Sequence, residues 1–370
     1  MEMDNTCNIS YPPSMGECIS MDNPEDMLKP WFINPHFVPI MITHALTFLV
    51  GVIGNVIIIT TMTRDKSSRN ATSMFLVSLA VADLLLLVVC IPLETLHYFV
   101  VTWDAEGAIC KLSSYAEMVS AVASVLNLTA VSLERYIVIV YPMKSRSFCT
   151  MSNCRRALFL VWIVALILSI PVTITRSTVP FTYYNSDSNI TITIFYCWDG
   201  DERGGLPFVI AVYQCCIMFI FPCLLMVFCY SRVIKELWIS TKAVIKMLIL
   251  VILLFLVCWG PRVIMQILIK HGLTFYSPII YSIRVACMQL PFVHSCLNPI
   301  IYSLMSSNFR RMILQSCTKH CSCCCFIDRR RVSSRRGIPS TASTNYELTF
   351  NSEVIRGGPV TRPFHLFYNV

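Results

Sequence analysis

Asp83 stands in the middle of LAVADLLLL, and Glu134 with Arg135 closes the apolar run that begins MVSAVASVLNLTAV. A carboxylate at mid-membrane depth costs on the order of 2.5–3.5 kcal/mol on insertion scales, so such a residue marks a functional site by default. Asn55, Ser124, His294, Ser295 and Asn298 fall at depths from which they could face Asp83 across a bundle interior. Together they make a hydrogen-bonded packing network, or one that also takes up a proton or a hard cation such as sodium. The Glu134–Arg135 pair raises a different chemistry. A charge buried at a helix end is a two-state element that pairs internally or meets a partner. The plainer alternative is an arginine that snorkels to the interface. No HExxH, GxSxG or pair of catalytic aspartates occurs in the apolar runs, so the chain is not expected to be an enzyme.

Such residues need helices in lipid to position them. The chain has 370 residues, 55% hydrophobic and 14% charged, with a mean hydropathy of +0.64. A soluble protein would carry roughly 25% charged residues. Seven apolar segments follow one another: from Phe37, from Met74, about Ala108 to Tyr136, from Ala157, from Leu206, about Val244 to Ile269, and Phe275 to Leu304. Each approaches or exceeds the ~20 residues a helix needs to cross a bilayer, and lipid leaves backbone polar groups no other partner. No alternating pattern suggests a barrel. The expected fold is an all-α membrane protein, a seven-transmembrane helix bundle over 36–305. An extracellular segment (1–35) precedes it, and a short amphipathic helix 8 (306–318) and a cytoplasmic tail (319–370) follow.

Basic residues set the orientation. Arg64, Lys66, Arg69, Lys144, Arg146, Arg155, Arg156, Arg232, Lys235, Lys242, Lys246, Arg310 and Arg311 follow the odd-numbered spans. The opposite loops hold only Lys111, Arg176, Arg203 and Lys270. The positive-inside rule puts the N-terminus outside and the C-terminus in the cytoplasm of a plasma-membrane protein. The net charge of +8 then faces anionic lipid and cytoplasmic partners rather than nucleic acid. MEMDN shows no basic n-region, so the first span is expected to direct insertion itself.

Cys110 and Cys197 fall in two extracellular loops and can form a disulfide; Cys7 and Cys18 could pair with each other. Asn8 and Asn189 head glycosylation sequons on the exposed side, whereas those at Asn70 and Asn127 face the cytoplasm or the membrane. STVPFTYYNSDSNITITIFYCW reads as a β-hairpin around NSDSN in the second extracellular loop. Pro92, Pro171, Pro222, Pro261, Pro291 and Pro299 interrupt five spans, as kinks or as hinges of a bundle that opens. After the last span, Phe309, Met312 and Ile313 share one side of an interfacial helix. Cys317, Cys321, Cys323, Cys324 and Cys325 then invite palmitoylation, with zinc binding as the rival reading. Arg330 and Arg331 make Ser333 and Ser334 candidates for a basophilic kinase, in a tail whose composition predicts disorder.

Gly54-Asn55-Val56, LAVAD ending at Asp83, Cys110, Glu134-Arg135-Tyr136, Trp162, Pro222 with Tyr230, CWGP ending at Pro261, and NPIIY from Asn298 to Tyr302 occur in this order. That series, one motif to a helix, resembles the rhodopsin-like (class A) G-protein-coupled receptors over about residues 36–318. The resemblance implies that Glu134 restrains Arg135 at rest. On activation Arg135 would line a crevice for a heterotrimeric G protein, with Tyr136, Tyr230, Trp259, Pro261, Asn298, Pro299 and Tyr302 in the switch. Asp83, Ser124, Ser295 and Asn298 would hold an allosteric sodium ion; no other cofactor is implied. Arrestin and receptor kinases would read the tail. Thr241 and Lys242 stand where many relatives place an acid that locks the arginine, which implies appreciable basal activity.

Glu94, Glu117, Arg262, Arg284 and Gln289 are the candidate ligand-binding residues. Glu117 and Arg262 could equally neutralise each other, or do so until a ligand competes. The hairpin resembles the open-mouthed lid of peptide receptors, and Trp103 matches the family's tryptophan in the preceding loop. Asp104, Glu106, Asp199, Asp201 and Glu202 would make an acidic rim that steers a cationic peptide inward. The chain is most similar to the neuropeptide branch of cholecystokinin-, orexin-, galanin- and RFamide-type receptors. A class A receptor for a small charged non-peptide ligand is the alternative reading. A transporter or channel is the remote one, disfavoured because the spans show no repeat.

Overall fold

The computed structural model describes residues 18–64, 70–99, 102, 104–185, 190–199, 205–236, 242–271, 278–305 and 309–311. Asn8 and Asn189, Cys7, Trp103, Asp201, Glu202 and Thr241 lie outside them, as do all but Phe309–Arg311 of the expected helix 8. So do Cys317, Cys321, Cys323, Cys324 and Cys325, and Ser333 and Ser334 of the tail.

Five long helices, Phe37–Arg64, Ala71–His97, Ala108–Val140, Met151–Thr173 and Leu206–Glu236, precede Lys242–Lys270 and Pro278–Met305; they are numbered here as spans one to seven. Among the described residues, six of these helices are long and apolar enough to cross a bilayer. The seventh carries Arg284, Gln289, His294, Ser295 and Asn298, whose polarity lowers its hydropathy. It packs against spans one and six, so those groups have protein to turn towards. Leu49, Ile53, Phe221, Leu224 and Val227 stay exposed on other helices, the inverse of a soluble core and the pattern lipid requires.

Span three is the axis of the bundle. It packs against spans two, four and five, and buries the run Ala116–Val125 without a break. Most of that run is Ala, Ser and Val, which lets neighbouring backbones come close where lipid supplies no hydrophobic drive. Polar side chains tie the helices together. The Trp162 indole donates to Ser78 Oγ at 3.1 Å, Ser120 Oγ to the Ala82 carbonyl at 2.9 Å, and Asn55 Nδ2 to the Ser295 carbonyl at 2.9 Å. Gly54 admits span seven to span one: a Cβ there would meet the Pro299 ring at 2.8 Å.

Pro171 sits in the 3-10 turn Ile170–Thr173 that closes span four, and the other five prolines act in two ways. Pro261, Pro291 and Pro299 lie inside continuous helices. Pro92 and Pro222 instead each follow a π-turn, Leu86–Cys90 and Cys216–Ile220. A proline ring clashes with the carbonyl four residues earlier, here Val88 and Met218, and both lie in the widened turn. The extra residue of a π-turn relieves that clash.

At one end of the bundle lies a small sheet. β2 (Arg176–Asn185) and β3 (Ile190–Asp199) pair antiparallel as the hairpin pattern predicts. The sequence did not reveal β1 (Cys18–Ser20), which adds parallel to β2 and makes the sheet three-stranded. A Cys110–Cys197 disulfide, with Cα atoms 5.6 Å apart, fastens β3 to the start of span three. Gly107 turns the chain into that span with φ +68°. Asp104 requires a correction. It is buried, and its carboxylate accepts from the Ile109 and Cys110 amides at 3.3 Å. Free amides at a helix start attract a carboxylate, so this residue is a helix cap rather than a rim charge.

Gly54→Ala is expected to destabilise the protein by about 1–3 kcal/mol, the usual cost of overpacking, because the proline ring cannot yield. Gly260→Ala, whose Cβ would find Phe219 at 3.7 Å, should change little. Thermal unfolding of the two variants side by side checks this, and equal midpoints would refute the close approach.

Candidate functional site

Below the sheet a cavity of about 300 Å³ opens, and Glu94, Glu117, Arg262, Arg284 and Gln289 all line it. Span two contributes Glu94, span three Glu117, span six Arg262, and span seven Arg284 and Gln289. The Arg262 guanidinium is ion-paired with the Glu117 carboxylate, and its Nη1 donates to the Met288 carbonyl at 3.3 Å. One residue therefore bridges spans three, six and seven. Glu94 accepts from Ser113 Oγ at 2.7 Å. Glu117 Oε1 and Gln289 Oε1 are buried and accept no hydrogen bond from the described residues. Unsatisfied buried acceptors are costly, so both atoms suit an incoming N–H group.

The cavity also exposes residues that sequence reasoning missed. Gln266 lies one helical turn above Arg262 and could have been found by that spacing. Arg176 and Asn34 also line the wall, but neither carries a signal in the sequence, since one opens a strand and the other precedes the first span.

Beneath the cavity, a void of about 20 Å³ touches Glu117, Arg262, Met218 and Trp259. The Trp259 ring stacks on Phe255 at 6.0 Å, and Phe255 meets His294 edge-on at 5.6 Å. His294 thus packs on an aromatic ring where the sequence suggested that it faces Asp83. Asp83, 1% exposed, accepts from Ser295 Oγ at 2.9 Å and Asn298 Nδ2 at 2.8 Å. Asn55 reaches the Ser295 backbone, and Ser124 is buried on span three. The Oδ1 atoms of Asn55 and Asn298 accept nothing from the described residues. Of the two, Asn298 is the one held against the Asp83 carboxylate through its Nδ2, so oxygen atoms of the kind a hard cation takes are gathered there.

At the end away from the sheet, Arg135 Nε lies 3.3 Å from Glu134 Oε2. That approach is an ion pair without hydrogen-bond geometry, since Nε makes no hydrogen bond among the described residues. Thr72 completes the cluster: its hydroxyl accepts from Arg135 Nη2 at 2.6 Å and donates to Glu134 Oε2 at 3.0 Å. Thr72 belongs to the Asn70 sequon, and Asn70 itself caps span two by accepting from the Ser73 amide at 2.8 Å. Both residues have work inside the fold, and the sequon pattern hid it. Ser132 Oγ donates to the Tyr230 hydroxyl at 3.2 Å. Tyr302 is 2% exposed, its hydroxyl has no partner among the described residues, and its ring stands edge-on to Phe309 at 6.4 Å. The Tyr136 ring meets Tyr141 at 5.7 Å.

The profile of the 7 transmembrane receptor (rhodopsin family) matches residues 54–302. Galanin receptor type 2 of Rattus norvegicus is 28% identical over 297 residues, covering 76% of this chain and 77% of its own. The allatostatin-A receptor of Bombyx mori is 27% identical over 317 residues, 80% and 84% of the two chains. Galanin receptor type 1 of Homo sapiens is 28% identical over 290 residues, 74% and 80% of the two.

The buried pair at Glu117 can be tested by stability alone. Arg262→Met leaves a buried carboxylate uncompensated and is expected to cost about 3–5 kcal/mol. Adding Glu117→Gln should restore much of that loss. Thermal midpoints of the single and double variants decide it, and additive losses would show that the two side chains are not coupled.

Proposed function

The chain belongs to the rhodopsin family of seven-transmembrane receptors, and we propose that it is a receptor for an extracellular neuropeptide, signalling through a heterotrimeric G protein. It is a multi-pass membrane protein and not an enzyme. In this reading the sheet end faces outward and the Glu134–Arg135 end faces the cytoplasm, in keeping with the basic loops. The peptide class is supported by the galanin and allatostatin-A receptors among the relatives. A strand-roofed cavity lined with charge is further support.

One observation carries the mechanism: Arg262 holds Glu117 while standing next to Pro261 and three residues from Trp259. A ligand group that donates to Glu117 competes with Arg262 for it. Span six is then freed to bend at Pro261, and Trp259 shifts against Phe255. Through Phe255 and His294 that shift loosens the Asp83–Ser295–Asn298 contacts. At the cytoplasmic end Arg135 leaves Thr72 and Glu134, with Tyr230 and Tyr302 rearranging towards it, and meets the G protein. Carrying such an equilibrium from 1:99 to 99:1 takes about 5.5 kcal/mol of preference for the active state.

The oxygens of Asp83, Ser124, Ser295 and Asn298 fit a sodium ion, whose charge would compensate Asp83 and favour the resting arrangement if bound there more tightly. Arrestin, receptor kinases and acyl chains are assigned to the tail by its sequence. The lack of an acid at Thr241 and Lys242 leaves Thr72 and Glu134 as the restraint on Arg135. Basal signalling is therefore part of the proposal.

Two experiments test this reading. Cells expressing the chain, screened against amidated and non-amidated neuropeptides, should respond to one peptide family, with potency at least tenfold lower in Glu117→Gln, about 1.4 kcal/mol. Silence at confirmed surface expression would favour a small charged ligand. Thr72→Val removes a hydroxyl that bonds two charged groups, each bond worth about 1.5–3 kcal/mol, so basal G-protein signal should rise several-fold. An unchanged basal signal would remove Thr72 from the restraint.

A further inference from the structure

The segment between β1 and span one is fixed at both ends. At its start, the Met21 amide donates to the Tyr184 carbonyl at 2.9 Å, the Asn185 side-chain amide to the Asp22 carbonyl, and Met21 and Met27 pack on Tyr183 and Ile194. At its end, Asn34 Nδ2 donates to the Tyr98 hydroxyl at 3.4 Å, and His36 lies 3.1 Å from Ser282 Oγ. Between these anchors runs the short helix Pro30–Ile33.

Pro30 and Asn34, four residues apart and so on one helix face, are both buried. Trp31 and Phe32 point the other way, 62% and 52% exposed, with Leu28 at 43% beside them. A bare tryptophan and phenylalanine in water are unusual unless a partner surface covers them. A few residues further along the chain, Val38, Ile42 and Leu46, spaced four apart on one face of span one, are 57%, 55% and 59% exposed and belong to the surface that lipid covers.

We propose that Trp31, Phe32 and Leu28 form a foot that inserts into the headgroup and upper acyl region of the bilayer, in the leaflet on the sheet side. Tryptophan suits that depth because its ring is apolar and its N–H can still reach water. The neighbouring cation is already compensated, since Lys29 Nζ lies 2.7 Å from Asp26 Oδ1. Docking therefore does not bring Lys29 to the lipid as a bare cation. The foot would hold the segment across the cavity edge and fix Asn34 in the cavity wall. It requires only that the chain spans a membrane, so it stands independently of the ligand.

The test uses the full chain in nanodiscs of phosphatidylcholine brominated either near the headgroup or deep in the acyl chain. The emission lost on Trp31→Phe isolates Trp31 from the other tryptophans. Phe32→Trp in the otherwise unaltered chain, read as the emission gained, gives a second probe if Trp31→Phe is poorly expressed. The expected result is strong quenching by the shallow bromines, weaker quenching by the deep ones, and little by aqueous iodide. Full quenching by iodide, with none by brominated lipid, would overturn the proposal. So would shielding that appears only on adding peptide, or only in discs holding two receptors, since the cover would then be a ligand or a second copy.

Discussion

Lipid offers nothing to a charge or to an unpaired amide, and every polar group in the bundle must therefore find its partner inside the protein. That constraint organises the molecule. Asp83 takes Ser295 and Asn298, Glu117 takes Arg262, and Arg135 takes Glu134 and Thr72. The partners come from different helices in most of these contacts, so the same bonds that satisfy the charges also set how the helices are rotated. Span three contributes to two of the three clusters and carries Ser120 and Ser124 facing the interior, which is why it sits at the centre.

The three clusters lie along one axis, and between them are aromatic rings and prolines. Trp259, Phe255 and His294 form an unbroken row of ring contacts leading down from the cavity, the first stacked and the second edge-on. An interior built this way is close-packed yet has discrete alternatives, because an ion pair or hydrogen bond is either made or exchanged for another. The unsatisfied atoms are informative in the same terms. Glu117 Oε1, Asn298 Oδ1 and the Tyr302 hydroxyl are buried without partners among the described residues, at the three levels where ligand, cation and activation would each act. A fold selected for stability alone would have little reason to retain them.

The helices and most of their charged residues were legible from the amino-acid sequence. Long apolar runs oblige helices in lipid, and the order of motifs from Gly54 to Tyr302 marks the depth of each polar group. The five residues chosen for the ligand site meet in one cavity because depth along a helix follows directly from residue count. The hairpin was readable too, since apolar and polar residues alternate on both sides of NSDSN, as they do in two strands paired across a polar turn.

Rotation about each helix axis and the course of the connecting segments were decided by packing alone. Residue spacing brings His294 near the level of Asp83, but only the neighbouring helix determined that it turns to Phe255. Thr72 and Asn70 read as a sequon, and Asp104 as a rim charge, until their places at helix ends showed a bridge to Arg135 and two caps. β1 has three residues, too few for any periodicity, and it forms because β2 presents an open edge. The sequence by itself determined which groups are in the membrane and how deep, since that follows from hydropathy and length. Which groups touch was left to the tertiary structure, because contact depends on partners far apart in the chain.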